Sequence, residues 1–127
     1  MLVSLLEAIM SMTINARMAD GVTILDLTGR LTLGEATAQF RDRVRAEAEK
    51  NPRILLNLAG VGYMDSAGLG EMVGAQASVS SRGGQLKLLN AQQKLRDLLQ
   101  ITRLYTIFEC FDDEASALRS FVQAARA

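Results

Sequence analysis

The sequence predicts one α/β domain: a small mixed β-sheet that opens with a hairpin and carries about four flanking helices. Three observations predict it. Asp20-Gly21 separates two strand-like runs, and both positions tolerate the positive φ of a two-residue hairpin turn. Ile54–Leu58 is an apolar run short enough for a buried strand, with a new helix soon after it. Beyond the hairpin, strand and helix patterns alternate, the order that gives parallel strands joined by helices packed on the sheet.

Taken in order, Thr13–Met18 alternates, with Ile14, Ala16 and Met18 on one face. Val22–Thr28 reads as the returning strand, apolar on both faces apart from Asp26 and therefore more central, and Gly29–Gly34 as a connecting loop. Glu35–Lys50 carries Ala36, Phe40, Val44 and Ala48 at i, i+4 spacing opposite mixed charges, an amphipathic helix that Asn51-Pro52 stops. The central strand breaks at Gly60 and Gly62, and a helix runs from Ser66 to about Ser81, with Leu69, Met72, Val73 and Ala77 as its core face. Gly70 and Gly74, with Ala67 and Ala77, are expected to keep that helix narrow against the sheet, and Arg82-Gly83-Gly84 ends it. Gln85–Leu89 is a strand, Ala91–Gln100 a helix with Leu95, Leu98 and Leu99 inward, and Ile107–Phe111 a short last strand. Asp112 or Asp113 caps a final helix whose buried stripe is Ala115, Leu118, Phe121 and Val122.

The chain has 127 residues, 49% hydrophobic and 22% charged, a composition that supports a single packed core. Lys plus Arg and Asp plus Glu both number 14, so no global charge draws it to nucleic acid or an acidic membrane surface. There is no histidine, which excludes His-dependent nucleophiles, His metal sites and His phosphotransfer. Cys110 is the only cysteine; it rules out an intrachain disulfide, fits a reducing compartment and reads as a small core residue between phenylalanines. No apolar run approaches the ~20 residues of a membrane span. Met1–Ser11 lacks a basic n-region and carries Glu7, so it does not read as a secretory signal. Leu2, Leu5, Leu6 and Ile9 fall at helical spacing, and residues 1–11 are read as a poorly ordered extension or a short docking helix before a domain at 12–127.

The chemistry concentrates where the central strand gives way to a helix. The glycines there lack the spacing of a dinucleotide fingerprint, no P-loop is present, and Ser66 has no nucleophile-elbow glycine before it. Asp112, Asp113 and Glu114 read as helix-start acids rather than a catalytic or metal cluster. Asp65 and Ser66 each suit an N-cap. A serine at the positive end of a helix also tolerates a phosphate, which makes Ser66 a candidate phosphoacceptor.

Asn57-Leu58, Val61, Tyr63-Met64 and Asp65-Ser66-Ala67-Gly68-Leu69-Gly70 together resemble the signature of STAS domains, the anti-anti-sigma factor family. The resemblance runs from about Met12 to the C-terminus. It includes Gly29-Arg30-Leu31 and the Leu104–Phe111 stretch followed by Asp112-Asp113-Glu114-Ala115. It implies a small sheet flanked by helices and a cytoplasmic protein-interaction module with neither catalysis nor a cofactor of its own. In the bacterial regulators of this family, the serine of the Asp-Ser pair is phosphorylated by a partner that is both anti-sigma factor and serine kinase. The unphosphorylated form binds that partner and frees the sigma factor; a PP2C-type phosphatase resets it. The resemblance thus implies Ser66 as phosphoacceptor, with Asp65, Gly68, Leu69 and Gly70 shaping the docking surface and the Arg30–Gly34 loop, Leu31 included, bordering it. Arg30, Thr32 and Leu33 stand where more acidic and polar residues are often found. The same fold also serves as a subunit of lipid-transport complexes or as a signalling scaffold, in which Ser66 is only a helix cap.

Overall fold

The computed structural model describes residues 12–126, with side chains described through Phe121. The extension at 1–11 and the expected burial of Val122 lie outside the described residues. The elements run β1 (Thr13–Ala19), β2 (Val22–Leu31), α1 (Glu35–Lys50), β3 (Arg53–Met64), α2 (Ser66–Ser81) and β4 (Gln85–Leu89). They continue with α3 (Gln93–Ile101), a 3-10 turn (Leu104–Thr106), β5 (Cys110–Phe111) and α4 (Glu114–Arg126). One five-stranded sheet has the order β1-β2-β3-β4-β5, antiparallel between β1 and β2 and parallel thereafter. No helix among the described residues is long and apolar enough to cross a membrane.

The hairpin forms as its turn residues dictate: Asp20 and Gly21 take φ of 51° and 78°, and Ala19 pairs with Val22 across them. Asn51 ends α1 and ties it to this turn, its Nδ2 donating to the Gly21 carbonyl at 2.9 Å. Helices α1, α2 and α3 cover one face of the sheet, around Phe40, Val44, Leu56, Met72, Val79, Leu86 and Leu99. On the other face α4 packs Ala117, Leu118 and Phe121 onto Val22, Ile24, Leu55 and Leu89. Ile54, Leu55 and Leu56 are fully buried, as a central strand covered on both faces must be.

Several local expectations are corrected. β3 does not break at Gly60 and Gly62 but runs through them to Met64, and β2 runs on to Leu31, absorbing Gly29 and Arg30 from the expected loop. Asn57 pairs with Asp26 but Gly60 with Thr28, and Val61 with Gly29 but Tyr63 with Arg30, so β3 holds an extra residue at each step. These are bulges, which the small residues Ala59, Gly60 and Gly62 accommodate. A Cβ on Gly60 would lie 2.7 Å from the Leu27 carbonyl oxygen.

In α2 the core face is Gly68, Leu69, Met72, Ala75 and Val79; Gly70, Gly74 and Ala77 are exposed, and a Cβ on either glycine would meet nothing within 4 Å. Ala16 and Met18 are exposed because β1 is an edge strand. Ala115 faces solvent while Ala117 takes its place in the stripe, and the last strand begins only at Cys110. Cys110 itself is exposed at the sheet rim, although the protein around its sulfur still raises the thiol pKa through desolvation.

Candidate functional site

Parallel β2 and β3 end side by side, Leu31 opposite Met64, and each feeds a helix on the same face of the sheet. The N-termini of α1 and α2 therefore lie at one end of the molecule, outside the carboxyl ends of the strands, where α/β sheets open their crevices. The Asp65-Ser66 turn sits there.

Asp65 is the N-cap of α2, with extended backbone, and its Oδ1 accepts from the Gly68 amide at 2.9 Å. Its Oδ2 accepts from the Leu33 amide at 2.9 Å, across the gap to the segment between β2 and α1. The Leu33 amide above all, and then the Gly68 amide, hold the Asp65 carboxyl below the ordinary aspartate range. The Asp65 amide also donates to the Leu31 carbonyl at 3.3 Å. Gly68 completes the seat: a Cβ there would fall 2.2 Å from the Leu31 carbonyl oxygen, so only glycine lets the first turn of α2 rest on the end of β2.

With Asp65 as cap, Ser66 becomes the first helical residue and is exposed. The reading of Ser66 as the cap is thereby corrected. Among the described residues no side-chain hydrogen bond engages its hydroxyl, which lies at the positive end of a 16-residue helix.

The remaining candidates divide by depth. Gly70 is exposed one turn along α2 from Ser66, and Arg30 is exposed on β2. Leu31, Gly68 and Leu69 are buried and shape the surface from beneath. Two exposed apolar side chains join the surface, Leu33 at 80% and Tyr63 at 47% exposure. The Arg30 guanidinium lies 4.8 Å from the centre of the Tyr63 ring, and the two residues are cross-strand neighbours. Tyr63 and Met64 also line a shallow apolar groove against Leu95 and Leu98 of α3, with Lys94 at its edge. This Arg30–Tyr63 pairing depends on the bulges in β3, because an unbulged register would set Arg30 opposite a different residue. Spacing in the sequence carries no signal for it.

The STAS domain family model matches residues 13–117. The chain is 30% identical over 100 residues to the anti-sigma-B factor antagonist of Bacillus subtilis strain 168, covering 79% of this chain and 91% of that protein. It is 29% identical over 102 residues to the anti-sigma F factor antagonist of Paenibacillus polymyxa, covering 77% and 85%. Among solved structures, a candidate anti-sigma factor antagonist from Thermotoga maritima superposes with a TM-score of 0.79 at 29% identity, covering 85% of this chain and 93% of that one.

Proposed function

The chain belongs to the STAS domain family, and from that premise we propose that it is an anti-sigma factor antagonist switched by phosphorylation of Ser66. In its unphosphorylated form it docks on an anti-sigma serine kinase and thereby frees a sigma factor. The kinase transfers the γ-phosphoryl group of ATP: the Ser66 Oγ–P bond forms, the bond to the β-phosphate bridging oxygen breaks, the hydroxyl proton passes to the kinase, and ADP leaves. A phosphatase of the PP2C type hydrolyses the ester and resets the switch. The chain itself supplies the acceptor and the docking surface, not the catalysis.

The observation that carries this reading is the division of labour in the turn. Asp65 takes the cap, and the Ser66 hydroxyl beside it is exposed and committed to no bond among the described residues. An added phosphate brings about −1.5 to −2 charges at pH 7, which the helix N-terminus tolerates while a partner fitted to a neutral hydroxyl does not. The change therefore falls on the interface and leaves the fold in place. The alternative role for Ser66, as the helix cap, is not favoured by a turn in which Asp65 already caps.

The test is to incubate the full chain with ATP and the serine kinase encoded nearest its gene, and to read the intact mass. A single phosphate on the parent and none on Ser66→Ala supports the proposal. Phosphate on both, or on neither with any such kinase, overturns it.

A further inference from the structure

Building on Ser66 as the phosphoacceptor, we infer that Asp65 is a positioning residue: its two carboxylate oxygens fix Leu33 and Ser66 as one rigid docking surface, with Leu33 its apolar anchor. Capping alone does not require an aspartate, since asparagine or serine caps a helix about as well. What neither can do is accept on two separate oxygens at once, one toward the Gly68 amide and one toward the Leu33 amide, each at 2.9 Å. The second bond crosses 32 positions of sequence to a three-residue segment, Thr32–Gly34, that belongs to neither β2 nor α1. Gly34 in that segment takes φ of 121°, so the chain turns sharply just after Leu33. The Asp65 carboxylate is what ties this turn to α2.

Leu33 is 80% exposed, the equal of any large hydrophobic side chain among the described residues, and it projects from a point held in place by that bond. In the proposed complex this exposed aliphatic side chain is the group the kinase would bury beside the phosphoacceptor. Because the Leu33 and Gly68 amides are already taken by Asp65, neither is open to a phosphoester on Ser66, and the Asp65 carboxylate repels it.

The test uses the full chain in two measurements. By NMR, the Leu33 and Gly68 amide resonances of the parent should titrate together, with one midpoint below the ordinary aspartate value, and should do so equally in Ser66→Ala. In Asp65→Asn both titrations should vanish, while the Gly68 amide stays protected by the retained cap and the Leu33 amide exchanges about tenfold faster or more. With the serine kinase and ATP, Asp65→Asn and Leu33→Ala should each raise KM for the protein substrate about fivefold and leave kcat unchanged, the mark of lost docking rather than lost chemistry. A Leu33 amide indifferent to Asp65 protonation, or an unchanged KM in both variants, overturns the inference. Coupled titration with no phosphate transferred leaves the positioning by Asp65 standing and sinks the phosphoacceptor reading instead.

Discussion

Ser66 and Asp65 divide two tasks that a sequence cannot assign, because both residue types suit a cap and they are adjacent. The extended backbone of Asp65 decides the matter, placing its oxygens over the amides and leaving the serine hydroxyl outside. Ser66→Ala is therefore expected to change stability by no more than about 0.5 kcal/mol, as at an exposed site with no side-chain partner among the described residues, measured by urea unfolding. Ser66→Asp should likewise stay folded. Gly68→Ala is a different case. Its methyl carbon would be 2.2 Å from backbone oxygen, which cannot give way cheaply, and a loss of about 1–3 kcal/mol is expected from the same measurement.

The elements were legible in the sequence wherever a period ran uninterrupted. Alternation around Asp20-Gly21 and the four-residue spacing in Glu35–Lys50 both correspond to observed elements. Legibility failed where glycine carried two meanings. In β3, Gly60 and Gly62 read as breaks, yet they let the strand bulge and continue to the site. In α2, Gly70 and Gly74 read as packing residues, yet both face open space, while the glycine that does pack closely is Gly68. Periodicity locates a helix but cannot tell a glycine that avoids a clash from one that merely lacks a side chain. Gly74→Ala should accordingly stabilise the protein, by about 0.5–1 kcal/mol, through helix propensity alone, read as a rise in the denaturation midpoint. A fall would mean that α2 packs more closely there than the open space around Gly74 allows.

Across the whole molecule, a partly exposed ion-pair network joins the hairpin to the start of α4. Arg17 on β1 donates to Asp26 on β2 at 2.7 Å and to Glu114 at the start of α4 at 2.5 Å, and Asn57 on β3 also donates to Asp26. Arg17 holds the Asp26 and Glu114 carboxyls below their usual ranges; the Ser116 amide does the same for Asp113, and the Leu33 amide for Asp65. A carboxyl whose folded pKa is depressed stabilises the fold above its unfolded value and loses that contribution as pH falls through the folded one. With no histidine in the chain, the melting temperature should be flat from about pH 8 to pH 5 and fall below about pH 4. Arg17→Met should cost no more than about 1 kcal/mol at neutral pH, because both ion pairs are partly exposed. It should also lose less stability than the parent on acidification, since Asp26 and Glu114 return toward ordinary values.

Under the proposed switch, this scaffold, with two helix N-termini gathered at one end, keeps Ser66 in place while its charge changes. The most direct measurement of that claim is calorimetric binding of the anti-sigma kinase to the chain before and after Ser66 is phosphorylated, with the melting temperature of both forms recorded alongside. The expected result is a fall in affinity of about tenfold or more, at least ~1.4 kcal/mol, with the melting temperature unchanged within a few degrees. Equal affinity for the two forms, or a phosphorylated form that melts much earlier, would contradict it.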